Sequence, residues 1–289
     1  MYGLRSSLLP FLVLLAVLQP ARAQMLSPFK DDLFAYPATL TEKDNGAYKV
    51  VDYRELRDVN ERDEKPERKV RRDYISLGVR SQQKELKLET GAGTLRFVAV
   101  GKQSAASMIV LYLHGQGGSR RQGVDDFTFG GNFNRLKNLV SSADGLYLSP
   151  DFSTFGEKGA AEIAALIAHY REKSPAAKVF VVCGSMGGAL CWKLAQDPTA
   201  ADNLGGLLLL GSLWDEKFLS SPAYRARTPV FFGHGSKDTV FPVAPQEAFY
   251  RKILAGGYPA RFVRFETGTH GTPIRMTDWR SELNWMLSR

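Results

Sequence analysis

Uninterrupted apolar runs recur along the last two-thirds of the chain. Met108–Leu113 (M-I-V-L-Y-L) is the longest, and shorter ones follow at Gly145–Leu148, Val179–Val182, Leu207–Leu210 and Val230–Phe232, with a less uniform one at Arg261–Phe265. Such runs fit strands covered on both faces, as in a parallel sheet flanked by helices. Between them the period changes. Ile163, Leu166, Ile167 and Tyr170 fall on one helical face, and Gly187–Gln196, Gln246–Leu254 and Asp278–Leu287 read as further helices. Strands alternating with helices predict an α/β fold with a mostly parallel central sheet and helices on both faces. Upstream, Leu86 and Leu88 alternate with Lys87 and Glu89, Thr94–Val100 reads as a second strand, and Gly91 and Gly93 mark the turn between them. That hairpin predicts an antiparallel edge at the N-terminal side of the sheet.

The N-terminal part reads differently. Arg5 precedes an apolar run, Leu8–Leu18, that is short for a bilayer span, and Ala21-Arg22-Ala23 supplies the small-x-small pattern of a signal-peptidase site. Cleavage is expected before Gln24, which divides the chain into a signal peptide (1–23), a charged extension (24–80) and a catalytic domain (81–289). A secreted or periplasmic location follows, with no stable membrane anchor after the leader is removed. Within the extension, Arg54–Asp73 carries dense charge of both signs and reads as a surface loop or exposed helix.

Composition changes this picture little. The 289 residues are 44% hydrophobic and 24% charged, an ordinary balance for a folded chain. The formal charge of +8 includes Arg5 and Arg22 of the leader. The remaining basic residues are interleaved with acids, and no nucleic-acid motif is present, so no nucleic-acid partner is expected. The two cysteines, Cys183 and Cys191, are too few for a disulfide framework and read as small buried residues. No spacing fits a metal site and no cofactor fingerprint appears, so none is expected.

One apolar run leads straight into chemistry. Val179–Cys183 is followed by Gly184-Ser185-Met186-Gly187-Gly188 and then by a helical pattern. A serine between small residues, at a tight strand-to-helix turn, is the setting of a nucleophile elbow: the turn lifts the hydroxyl above the sheet, and the next backbone N–H is free to hold an oxyanion. At these residues the chain resembles the α/β-hydrolase superfamily, of the esterase or dienelactone-hydrolase type with a minimal cap. It departs from the strict G-x-S-x-G pattern because Cys183 stands at the first glycine position. The resemblance extends from about Lys84 to the C-terminus and does not reach residues 24–80.

The resemblance assigns further roles. His114-Gly115-Gln116-Gly117, directly after the Met108 run, is similar to the oxyanion loop of esterases, so the Gln116 and Met186 N–H groups are the implied donors and His114 a shape-holding residue. His234-Gly235-Ser236-Lys237-Asp238 resembles the loop that delivers the triad acid, which makes Asp238 that acid and leaves Asp215 as a second candidate. His270 follows the last strand. Of the histidines, His114 and His234 belong to loop motifs and His169 to a helix, so His270 is the expected base. The order Ser185, Asp238, His270 is that of α/β hydrolases.

The function expected is ester hydrolysis through an acyl-enzyme on Ser185, of carboxylesterase or deacetylase type, acting on a small-molecule or polymer-borne ester. A serine peptidase of the same fold and a non-catalytic binding protein on this scaffold are the alternatives. The short interval between Leu210 and Val230 leaves no room for a large cap. Gln122–Asn134, with Phe127, Phe129 and Phe133, is a candidate to overhang the site, and Phe152, Phe155, Trp214 and Phe241 are candidates for its rim. The sequence does not define the oligomeric state.

Overall fold

The computed structural model describes residues 25–289; the expected leader and its cleavage point lie outside them. Twelve strands form among the described residues: β1 (Thr39–Lys43), β2 (Tyr48–Asp52), β3 (Asp63–Lys65), β4 (Lys69–Val70), β5 (Gln83–Thr90), β6 (Gly93–Gly101), β7 (Met108–Leu113), β8 (Leu146–Pro150), β9 (Lys178–Gly184), β10 (Leu204–Leu210), β11 (Val230–Gly235) and β12 (Ala260–Glu266). The helices are α1 (Asp31–Phe34), α2 (Asn132–Ser142), α3 (Glu157–Lys173), α4 (Gly188–Gln196), α5 (Pro198–Ala201), α6 (Pro222–Arg225), α7 (Val243–Ala255), α8 (Thr272–Met276) and α9 (Trp279–Leu287).

Ten strands make one sheet in the order β1-β2-β12-β11-β10-β9-β7-β8-β6-β5. The middle, from β2 to β8, is parallel; at one edge β6 runs antiparallel to both β8 and β5, and at the other β1 runs antiparallel to β2. Each apolar run serves two cores because successive side chains point to opposite faces. In β9, Val179, Val181 and Cys183 face a cluster built with α3, α4 and α7, while Phe180 and Val182 face one built with α2 and α9. Leu207 and Leu209 of β10 divide from Leu208 and Leu210 in the same way. A strand buried on both sides cannot alternate in polarity, which is why these strands appear as unbroken apolar runs.

Three expectations are corrected. Residues 25–80 are not an appendage: β2 pairs in parallel with β12, with Tyr48 in one core and Val51 in the other, so the boundary at 80/81 falls within one continuous structure. Arg54–Asp73 is not wholly exposed, since Asp58, Val59, Arg62, Asp63 and Val70 are buried. Its buried charges find partners from the rest of the fold. Asp63 takes Arg275 at 2.6 and 3.1 Å, and Arg62 lies over the rings of Phe34 and Tyr74 at 5.3 and 4.6 Å. Finally, Cys183 and Cys191 are buried as expected but joined in a disulfide. Both face the same core from a packed strand–helix pair, and their Cα atoms lie 6.4 Å apart, within bridging range.

Between β10 and β11 the chain holds only a short 3-10 turn, Glu216–Ser220, and α6, with no inserted domain. No described helix is long and apolar enough to cross a membrane.

Candidate active site

The turn after β9 sets Ser185 at φ 52°, in the left-handed region that a residue with a Cβ rarely adopts. That conformation costs on the order of 1–3 kcal/mol, so the surroundings must enforce it. Several contacts do so. The Ser212 hydroxyl donates to the Ser185 carbonyl at 2.6 Å. Gly187 and Gly188 let α4 sit against the Leu113 carbonyl and Ser212, positions where a Cβ would collide. The disulfide ties the strand before Ser185 to the helix after it. On the opposite side, Gly115 passes so close that a Cβ there would approach the Ser185 Cβ at 2.8 Å.

The other two residues arrive from the same end of the sheet. Asp238 follows β11, and its side chain is fully buried. One carboxylate oxygen accepts the Val240 and Phe241 amides at 2.8 and 2.9 Å; the other faces His270 Nδ1 at 2.8 Å. Burial pushes the Asp238 carboxyl up, yet the His270 hydrogen bond and the two amides outweigh it and hold the group below the usual carboxylate value. An ionised Asp238 can only accept, so Nδ1 of His270 carries the proton there. Nε2 is left with its lone pair toward Ser185 Oγ, 2.9 Å away. The structure therefore joins Ser185, His270 and Asp238 in one hydrogen-bonded relay. Asp215, the second candidate acid, is elsewhere: it caps the Glu216–Ser220 turn and accepts from Gln196 at 3.1 Å.

Two further histidines hold loops. His234 is fully buried; its Nε2–H donates to the Phe241 carbonyl at 2.7 Å and stands 3.4 Å from Asp238. Burial lowers its pKa, which keeps the imidazole neutral beside the acid. His114 contacts the Gly115 carbonyl at 2.8 Å and stacks on Phe152, with centroids 4.3 Å apart. Gln116 borders the cleft beside Ser185 and His270. Met186, the other implied oxyanion donor, follows Ser185 in the first turn before α4.

The cleft beside Ser185 and His270 has a volume of about 150 Å³, walled by Tyr112, Leu210, Ile274 and Phe129 with Gln122 at its edge. The Gln122–Asn134 segment thus divides: Gln122 and Phe129 reach the site, Phe133 is buried in α2 against Tyr112, and the Phe127 carbonyl bonds the Val70 amide. Of the four rim candidates, Phe241 lies closest in role, 5.8 Å from the His270 ring; Phe152 supports His114, and Phe155 meets Phe152 edge to face. Trp214 packs against the core. Sequence reasoning missed Tyr112, Leu210 and Ile274. The first two belong to apolar strands and carry no mark that distinguishes a wall of the cleft from core.

No protein-family model matches the chain, and no curated protein matches it. Solved structures do. An esterase from Pyrococcus furiosus is similar at a TM-score of 0.52 with 16% identity, over 72% of this chain and 92% of that one. An α/β serine hydrolase homologue from Coxiella burnetii gives 0.51 and 16%, over 71% and 95%. An S-formylglutathione hydrolase from Staphylococcus aureus gives 0.53 and 11%, over 71% and 98%. The fold is that of the α/β hydrolases. At these identities the likeness speaks for the α/β-hydrolase scaffold alone, and the chemistry must be argued from the residues that the scaffold brings together.

Proposed function

We propose that this α/β-hydrolase-fold protein is a serine hydrolase that cleaves esters, of carboxylesterase or deacetylase type, through an acyl-enzyme on Ser185. The reading rests on the relay from Ser185 Oγ through His270 to Asp238, at 2.9 and 2.8 Å. In the first step Ser185 Oγ bonds to the ester carbonyl carbon while its proton passes to His270 Nε2. The imidazolium that forms is stabilised by the buried Asp238 carboxylate. Charge growing on the carbonyl oxygen is met by the Gln116 and Met186 N–H groups; losing such a donor costs about 10²–10³ in rate. His270 then returns its proton to the departing alkoxide. Water repeats the sequence on the acyl-enzyme and releases the acid.

The uncapped cleft favours esters, small or polymer-borne, over peptides that need a filtering domain. Export to an oxidising compartment is supported by the leader-like N-terminus and by the Cys183–Cys191 disulfide, since disulfides are rare in reducing compartments.

The test is covalent labelling with a fluorophosphonate, followed by a panel of p-nitrophenyl esters and aminoacyl anilides. Labelling of the wild type and its loss in Ser185→Ala are expected, with esters preferred. Equal labelling of the variant, or none of the wild type, would remove the enzyme reading, and preference for anilides would replace the esterase with a peptidase.

A further inference from the structure

A second cleft of about 340 Å³ opens beside the catalytic one, and the two share Phe129 and Gly271 as a common wall. Its remaining lining includes Thr269, Tyr53, Glu67 and Arg275. Tyr53 and Glu67 come from the N-terminal segment, so part of this cleft's lining lies outside the stretch that the sequence resemblance covers.

Its position relative to His270 fixes its role. Thr269 and Gly271 flank His270 in the chain. His270 Nε2 hands its proton to the departing oxygen, so the alcohol leaves along the His270 loop and toward this cleft. The smaller, largely apolar cleft lined by Tyr112, Leu210 and Ile274 then takes the acyl group, and about 150 Å³ suits a short one.

The lining fixes the chemistry. Arg275 is neutralised: both of its terminal nitrogens bond Asp63, and one also bonds the Asp58 carbonyl at 2.9 Å. The Tyr53 and Thr269 hydroxyls can each donate and accept. Glu67 adds an acceptor. It stands exposed at φ 60° on the β3–β4 turn, its amide donating to Asp63 at 2.8 Å, and no cation among the described residues pairs with its carboxylate. Phe129, half-buried, adds one aromatic wall, while the Tyr53 ring is almost wholly buried in the core. Mixed donors and acceptors beside an aromatic wall match a ring that carries several hydroxyls. A cationic alcohol would meet a single exposed carboxylate, an interaction that water weakens.

We infer that this second cleft binds the alcohol part of the substrate, and that this part is a polyhydroxylated ring such as a sugar unit, esterified with a short acyl group. The inference rests on the ester-hydrolase reading above. In the reaction the Ser185 Oγ–carbonyl bond forms and the carbonyl–sugar oxygen bond breaks. The serine proton ends on the sugar hydroxyl, and water then cleaves the acyl-enzyme to give the short acid.

The experiment compares kcat/KM for an acetylated glucose with that for ethyl acetate in the wild type, Glu67→Gln and Thr269→Ala, with acetylcholine as a third ester. Fluorophosphonate labelling of each protein reports whether the catalytic relay is intact. The sugar-to-ethyl ratio should fall about tenfold in Glu67→Gln and several-fold in Thr269→Ala, chiefly through KM, as expected for hydrogen bonds lost to a bound ligand. An unchanged ratio in both labelled variants would overturn the subsite while leaving the esterase reading intact. A wild-type preference for acetylcholine that Glu67→Gln abolishes would overturn the sugar assignment in favour of a cation. A wild type that is neither labelled nor active on any of the esters would overturn the subsite together with the reading beneath it.

Discussion

The central sheet and the N-terminal segment are held by different forces. In β7, β9, β10 and β11 nearly every side chain is apolar and completely buried, Lys178 at the start of β9 and His234 of β11 apart, and adhesion comes from the area removed from water. The N-terminal segment docks through charge as much as through apolar contact. Arg135, almost fully buried, bonds Asp31 at 2.8 Å and Asp278 at 2.9 Å and lies 4.9 Å from the Phe34 ring. Arg280 reaches Asp31 at 2.9 Å, and Arg275 grips Asp63. Apolar burial tolerates rearrangement, whereas a buried ion pair depends on both partners. The sheet thus carries Ser185, Asp238 and His270 on a forgiving support. The seam beside His270 is exacting, because α8, which follows directly, supplies Arg275.

The largest effect tests the catalytic side of that contrast. Ser185→Ala should reduce ester hydrolysis by about 10⁴-fold or more, and Asp238→Asn by roughly 10⁴ in kcat, with unfolding midpoints close to wild type for the alanine variant. Normal turnover in Ser185→Ala would show that the relay is not the reacting centre.

The seam comes next. Arg275→Met leaves Asp63 buried without its partner and should cost about 3–5 kcal/mol in urea denaturation, the typical price of breaking a buried pair. A loss below about 1 kcal/mol, the range of exposed pairs, would mean that the seam behaves as surface.

Glu282 of α9 sharpens the comparison through pH. Burial raises its carboxyl to about 7, against the weaker opposing pull of Arg261 at 3.3 Å. The folded state therefore holds a proton that the unfolded chain has released above its ordinary value of about 4.3. This stabilisation is complete below that value and is lost as pH rises through about 7. Between pH 5 and 8 the wild type should lose on the order of 3 kcal/mol from this group, and Glu282→Gln should not. Parallel pH–stability curves for the two proteins would refute it.

The smallest effect lies within the sheet. Replacing Cys183 and Cys191 together by serine removes the strap across the nucleophile turn and should cost about 2–3 kcal/mol by the loop-closure argument. Because the strap also supports the Ser185 backbone, kcat should fall with it, which a chemical-denaturation series and an ester assay measure side by side.

The apolar runs made β7 to β12 legible, because a strand covered on both faces must be apolar throughout. Ser185, Asp238 and His270 were legible for a related reason: each sits at a strand end in a short motif whose small residues are demanded by close backbone contact. β2 was not. Tyr48-Lys49-Val50-Val51-Asp52 is brief and mixed, and only pairing with β12 turns it into a strand. Asp63 and Arg275 were equally silent, since a charged residue looks the same in sequence whether water or a partner 212 positions away neutralises it. Tyr53 and Glu67 reach the second cleft only through that docking.

The amino-acid order by itself determined the layered sheet and the cast of reacting groups, because burial period and steric need are written locally. The tertiary structure decided which charges are buried, that the two cysteines bond, and that the N-terminal segment lines the cleft next to that of Ser185 and His270. Those outcomes depend on partners brought together from distant points of the chain, and no local pattern encodes a meeting of that kind.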